Sequence, residues 1–324
     1  MEFSCAFPPG PDVVEHAVLA EQLGYERCWI YDSPALYPDV WVTLARIAER
    51  THRIALGPGV LVPNLRHVMT QAAAIATLEL LAPGRVVVAI GTGFTGRLAM
   101  GQKALRWSFV ETYVRQLRAL LRGETIELEG SAARMLHPRG YAPRFPIETP
   151  ILIAANAPKG TAIAHDIGDG IVCVGQPQPG FRWCNLLTLG TVLAEGEKAS
   201  DPRPLAAAGP GLSVMFHGIY EAGGAAALDN MPGGAAWRAA IETIPQRQRH
   251  LALHEGHLVH VTERDRPLLD SGMLETLTFT GTAANLRQRL RDLEAGGATE
   301  IMYAPMGPDV PRELRAFAGL KTEG

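Results

Sequence analysis

Residues 75–93 read IATLELLAPGRVVVAIGTG. This stretch holds one whole unit of an alternating fold. Its first part continues an apolar, alanine-rich helical pattern over 69–81, which Pro83-Gly84 closes. Residues 85–90 then bring Arg followed by Val-Val-Val-Ala-Ile, a continuous apolar run of the kind buried on both faces of a parallel sheet. The run ends in a glycine-rich loop.

The same alternation extends outward in both directions. Toward the N-terminus, short β-like runs at 3–7, 27–31 and 54–60 are separated by helical patterns at 12–23 and 40–50. Toward the C-terminus, a helix over 111–121 precedes a pause at 123–149, where several prolines predict a small hairpin or loop insertion. Runs resume at 151–155 and 171–175 around a helix at 159–167. A helix is expected over 186–199, a seventh run at 212–216, and a polar, mostly helical insertion over 218–275. A helix at 283–295, an eighth run at 301–304 and a last helix at 312–317 complete the chain. Eight runs alternating with helices predict an α/β fold, a (β/α)8 TIM barrel with insertions, as a single domain over the 324 residues. A doubly wound open sheet is the alternative.

Composition narrows the function. Hydrophobic residues make up 47% of the chain, enough for a large core and against disorder. Lys and Arg number 30 against 33 Asp and Glu, so no global basic excess points to nucleic acid or an anionic membrane. No apolar stretch approaches the roughly 20 residues of a membrane span. The N-terminus lacks the pattern of a signal peptide. Cys5, Cys28, Cys173 and Cys184 show no C-x-x-C spacing and read as buried free thiols, consistent with a cytoplasmic location.

In a barrel, chemistry gathers where strands end. That rule nominates Asp32-Ser33, residues 57–60, residues 91–94, residues 155–159, Gly175-Gln176, His217 and Ala304-Pro305. The segment GPGVLVP (57–63) reads as a bulge or a plain strand end. GTGFTG (91–96) imitates a dinucleotide fingerprint, but it follows the fourth run and no helix is expected directly behind it. ANAPKGT (155–161) opens a helix, where free amides, Lys159 and Thr161 suit an anion such as phosphate. Asn156 also reads as the cap of that helix. His250, His254 and His257 would share one helical face. His254-Glu255-Gly256-His257 falls one residue short of H-E-x-x-H, so no metal is assigned.

Taken together, AEQLGYERCWIYDS (20–33), IALGPGVLVPNLRH (54–67), IATLELLAPGRVVVAIGTG (75–93), AANAPKGTAIAHDIGDGIV (154–172) and FTGTAANLRQRLRDLEAGGATEI (279–301) resemble the luciferase-like superfamily of flavin and deazaflavin barrels. The likeness is to its F420-dependent branch, which includes methylenetetrahydromethanopterin reductase. The resemblance implies a ring at the C-terminal mouth, backed by a non-proline cis peptide matching Gly59-Val60. Thr92 and Gly93 match the positions along the ring edge, and Asp32 an acidic residue near its pyrimidine end. The phosphate-binding amides match Ala155, Asn156 and Ala157, with Gly175 and Gln176 opposite. Two departures matter. Ser33 stands where sugar-phosphate dehydrogenases of this type carry His, and Phe94 where they carry Glu. The loss of that acid/base pair argues against sugar-phosphate oxidation, and Phe94 suggests an apolar substrate pocket.

The resemblance therefore implies an F420-dependent hydride transfer to or from a small, partly apolar organic molecule. Ser33, Tyr37, His217, His254 and His257 are the candidate proton donors. The alternatives are an FMNH2-dependent monooxygenase fed by a separate reductase, a flavin-binding protein without turnover, and a zinc hydrolase built on the histidines. A homodimer is expected from the resemblance, and the 218–275 insertion is expected to act as a lid.

Overall fold

The computed structural model describes residues 1–321. Eight strands form one all-parallel sheet: β1 (Glu2–Phe7), β2 (Arg27–Ile30), β3 (Ala55–Pro58), β4 (Val88–Ile90), β5 (Ile151–Ala154), β6 (Gly170–Val174), β7 (Cys184–Leu189) and β8 (Glu300–Ala304). Their order is β3-β2-β1-β8-β7-β6-β5-β4. Bridges Leu56↔Val86 and Leu61↔Ile90 join β3 to β4 and close the barrel. Gly57 permits that seam, since a Cβ there would lie 1.5 Å from the Val87 carbonyl oxygen.

The surrounding helices include α1 (Val13–Gln22), α2 (Val40–Arg50), α3 (Val68–Leu81), α4 (Phe94–Leu98), α5 (Trp107–Leu121) and α6 (Pro158–Ile167). Leu44, Ile47, Ile75 and Leu117 are fully buried between this layer and the sheet. Inside the barrel, Trp29, Val87, Leu152 and Met302 fill the lumen. Its N-terminal end is sealed by Glu300, which accepts from Arg27 at 2.8 Å, Trp183 Nε1 at 2.7 Å and Asn185 Nδ2 at 3.0 Å. A buried carboxylate needs such partners. The lumen is thus closed below.

Seven of the eight strands fall on the runs read from the sequence. The seventh does not. Residues 212–216 lie inside α7 (Pro202–Gly223), where Leu212 and Phe216, four apart, are both fully buried. The true seventh strand, β7, occupies part of the stretch expected to be helical at 186–199. The rest of that stretch carries a two-residue strand, Val192–Leu193, parallel to Gly281–Thr282. A five-residue apolar run does not by itself distinguish strand from buried helix, and here a second core decided. Leu212 and Phe216 pack with Leu228, Trp237, Ile241 and Leu268.

After β7 the chain leaves the barrel. It passes through α7, α8 (Gly234–Glu242), α9 (Arg249–Leu253) and α10 (Ser271–Leu277), and returns by α11 (Ala283–Ala295) to β8. α12 (Val310–Ala318) follows. Within 123–149, Ile126–Leu128 pairs antiparallel with Ser131–Ala133. Among the described residues no helix is long and apolar enough to cross a membrane.

Candidate active site at the barrel mouth

The loops after β2, β3, β4, β5 and β6 form a continuous arc. At its start, Asp32 is buried, and Arg66 Nη1 lies 2.8 Å from both of its carboxylate oxygens. The Val62 amide donates to Asp32 Oδ2 at 3.3 Å. Burial pushes the Asp32 carboxyl up, and Arg66 pulls it back without fully offsetting that rise. Ser33 is buried beside Asp32, and its carbonyl accepts from the amides of Leu36 and Tyr37.

Beyond β3 the Gly59-Val60 peptide is cis. Backbone bonds hold both sides of it: Gly59 N–H donates to the Ile30 carbonyl at 2.8 Å and Leu61 N–H to the Ala89 carbonyl at 2.7 Å. The next loop approaches closely. A Cβ on Gly91 would lie 3.5 Å from Val60 Cγ1 and 3.2 Å from Ala154 Cβ. Gly93 is left-handed, with φ 78°, and a Cβ there would come within 2.4 Å of Val62. Thr92 is half-buried, and its carbonyl accepts from Leu105 N–H at 2.8 Å.

A short helix does open directly behind this loop, contrary to expectation. α4 begins at Phe94 with Gly93 as its N-cap. It had no sequence signature because it spans five residues, too few to show a period. Phe94, its first residue, is exposed.

On the far side, Ala155 N–H donates to the Val172 carbonyl at 3.0 Å. Asn156 does not cap α6. Ala157 takes the cap position, and no side chain caps the helix. Asn156 Oδ1 instead accepts from the Val174 amide at 2.9 Å, tying the ends of β5 and β6. Asn156, Ala157, Lys159, Gly175 and Gln176 are all exposed around this uncapped terminus. Gly175 has φ 83° and open space where a Cβ would stand. Free first-turn amides and a nearby cation suit a phosphate.

The histidines lie apart from the arc. His217 sits within α7, not at a strand end. Its ring stacks on Trp237 with centroids 5.5 Å apart, and its Nε2 lies 3.3 Å from Asp265 Oδ1. Trp237 Nε1 donates to the same oxygen at 2.7 Å. Burial raises the Asp265 carboxyl, but His217, Trp237 and Thr262 more than reverse this and leave it below the usual range. The shared helical face expected for His250, His254 and His257 is absent, because α9 ends at Leu253 and the chain turns. The turn still brings His254 Nδ1 within 3.4 Å of His257 Nδ1 and His254 Nε2 within 3.3 Å of Glu221. Burial, with His254 and His217 nearby, drives His257 down to about 3, so it is neutral at pH 7. Tyr37 joins this group to the mouth by donating to the His257 carbonyl at 2.5 Å. Burial pushes its phenol up, so it remains protonated. Among the described residues no three His, Cys, Asp or Glu side chains converge as a metal site.

Asp32, Ser33, Gly59, Val60, Thr92, Gly93, Ala155, Asn156, Ala157, Lys159, Gly175 and Gln176 therefore all follow the C-terminal ends of β2 to β6, with Asp32 covered by Arg66, at one end of the barrel. Tyr37 bridges from it to His254 and His257. The sequence reading missed Arg66, Asp265 and Glu221. Arg66 was visible as the only charged residue in LVPNLR, directly beyond the third strand. The two carboxylates carried no local signal, since only the tertiary fold brings them to the histidines.

This is a (β/α)8 barrel with a glycine-lined mouth at the face where such barrels keep their active sites. A model of the family described as luciferase-like monooxygenase matches residues 6–300, and the chain belongs to that family. It is 24% identical to a 5,10-methylenetetrahydromethanopterin reductase of Methanolobus tindarius, over 97% of this chain and 98% of that one. It is 31% identical to an F420-dependent glucose-6-phosphate dehydrogenase of Beutenbergia cavernae, over 59% of each chain. The match to other dehydrogenases of that name covers only about half of their length. The coenzyme F420-dependent tetrahydromethanopterin reductase structure from Methanopyrus kandleri shares the fold, with a TM-score of 0.67, 16% identity, and 98% and 97% of the two chains covered.

Proposed function

We propose that this protein is an F420-dependent oxidoreductase that moves a hydride between the deazaflavin and a small, partly apolar organic substrate. One observation carries the reading. The Gly59-Val60 turn after β3 and the uncapped α6 terminus lie at the same end of the barrel, bridged by Gly91, where a Cβ would touch both Val60 and Ala154. That pairing fits a flat ring carrying a phosphate. Val60 and Gly91 would back the ring, Thr92 and Gly93 would line its edge, and the amides of Asn156, Ala157 and Lys159, with Gly175 and Gln176 opposite, would hold the phosphate, the Ala155 N–H being already given to Val172. Bound there, the cofactor supplies a hydride donor or acceptor.

The chain's own groups orient the substrate and handle the proton. Phe94 offers an apolar surface at the rim. The Tyr37 phenol stays protonated, and on turning away from the His257 backbone carbonyl it would be placed to exchange a proton with substrate. Ser33 offers a second hydroxyl deeper in the same sector. The insertion supports a role as lid, because His257 engages Tyr37 and His250 packs against Gly101 in the loop after α4. Ser33 and Phe94 argue against a sugar-phosphate substrate, since neither supplies an ionisable acid or base.

Titrating the purified protein with F420 and FMN, followed by fluorescence, tests the reading. Micromolar or tighter F420 binding, about −8 kcal/mol, with weak FMN binding is the expected result. Tight FMN binding alone would favour the second reading, a two-component monooxygenase fed by a separate reductase, which the family's own description supports. Binding of neither would overturn both.

A further inference from the structure

The Asp32–Arg66 pair carries an inference that deepens the cofactor reading above and rests on it. An acidic residue at the end of β2 would be expected to face the ring as a hydrogen-bond acceptor. Here the Asp32 side chain is 1% exposed, while that of Arg66 is 16% exposed. Both Asp32 oxygens are engaged from one side by Arg66 Nη1, and one of them also accepts from the Val62 amide. A carboxylate so covered offers little to a ligand.

Arg66 is different. Its Nη1 is fixed by Asp32 and its Nη2 by Asp39 Oδ2 at 2.7 Å. Asp39 is itself anchored, accepting from the Trp41 and Val42 amides at the start of α2. A guanidinium carries five N–H donors, so donors remain after these contacts. Its Nε has no partner among the described residues and is not sealed from solvent. The planar fork is thus held at two corners, at the junction of the β2 and β3 loops, with a third side open.

We propose that Arg66, not Asp32, is the side chain this sector of the mouth presents to the cofactor, recognising a carbonyl oxygen on the pyrimidine half of its ring. Asp32 is then a positioning residue that acts through Arg66. The chemistry matches: a guanidinium donates, and a pyrimidinedione edge accepts through its carbonyl oxygens. Recognition by guanidinium also needs no change of protonation between pH 5 and 8.

The test compares wild type, Arg66→Gln, Arg66→Lys and Asp32→Asn by fluorescence titration with F420 and with FMN at pH 5, 6.5 and 8, alongside thermal unfolding of each. We expect wild-type affinity to follow only the free cofactor's own ionisations, such as that of a phosphate monoester at about pH 6, with no added step from a protein carboxyl. Arg66→Gln and Arg66→Lys should weaken binding of the preferred cofactor about tenfold or more, and Asp32→Asn should weaken it less. Arg66→Lys keeps the charge and serves where Arg66→Gln fails to fold. Wild-type binding of neither cofactor would overturn the cofactor reading and this inference with it. Cofactor binding that survives both Arg66 substitutions, or that falls most in Asp32→Asn and follows a carboxyl titration, would overturn this inference alone.

Discussion

The Tyr37 hydroxyl donates to the backbone carbonyl of His257 across 2.5 Å, joining residues 220 apart in the chain. Tyr37 belongs to the loop after β2, at the barrel mouth. His257 belongs to the turn after α9, in the excursion between β7 and β8. The bond therefore ties the barrel mouth to the helical excursion between β7 and β8. Replacing Tyr37 with Phe keeps the ring and its packing 6.3 Å from Tyr31 but removes the donor. Global stability should fall by only about 1 kcal/mol. Amide exchange in residues 254–260 should quicken well beyond that of the barrel strands, since local opening needs fewer contacts to break. Unchanged exchange there would show that the turn is held by its own packing.

Most of the barrel was legible because its strands are sequence-local. Residues 86–90 and 151–155 are apolar throughout, and each has a Gly or Pro at one end. The failure at 186–199 and 212–216 has one cause. Each holds a short, largely apolar run, and its assignment depends on what covers it. Cys184–Leu189 finds strand partners in β6 and β8, whereas Leu212 and Phe216 find a second helical core. The arc of backbone groups at the mouth was legible through glycine and proline punctuation. The role of Asn156 was not, because its partner, Val174, lies on another strand. The partners of Asp32, His217 and His254 were hidden for the same reason.

Gly57 should be the least replaceable glycine of the barrel wall. Its missing Cβ would meet the Val87 carbonyl oxygen at 1.5 Å, and both lie in the backbone, where no rotamer change can relieve the clash. Gly57→Ala should destabilise the protein by at least about 3 kcal/mol or prevent folding. Gly10→Ala is the matched control, because its Cβ would meet nothing closer than 3.8 Å, and its effect should stay within about 0.5 kcal/mol. Denaturant unfolding of the two variants gives the comparison. Equal effects would mean that the β3–β4 seam yields.

Asn156→Ala separates structure from binding at the proposed phosphate site. The substitution frees the Val174 amide, but Val174 is exposed and water can replace the lost acceptor. The stability cost should therefore be below about 1 kcal/mol. The loop holding Ala155 and Ala157 would keep only the Ala155 N–H bond to Val172 as its tie to β6, and F420 affinity should drop about tenfold, or about 1.4 kcal/mol. The ring-and-ribityl fragment of F420 lacks the phosphate, so its weaker binding should be nearly the same in variant and wild type. An equal loss for both ligands would place Asn156 at the ring instead.

Acid should destabilise this protein in two separable stages, and the histidines own the first. His257 is lowered from an ordinary 6.5 to about 3 by burial and by His254 and His217. Glu221 and Asp265 lie behind those two rings, and Tyr37 contacts the His257 backbone. His16 is also lowered, mainly by burial. For such groups the unfolded chain binds the extra proton first. Their stability is fully present above pH 6.5 and is lost as pH falls below it, at up to about 1.4 kcal/mol per pH unit for each group. The carboxyls held low, Glu21, Asp39, Glu197 and Asp265, act later. Their contribution is present above the ordinary carboxyl range near 4 and declines only below it. Unfolding free energies between pH 7 and 4.5 should therefore fall in wild type and fall less in His257→Gln, with His16→Gln removing most of the remaining slope. Parallel curves for wild type and His257→Gln would show that His257 takes up its proton in the folded chain, with the turn opening to water.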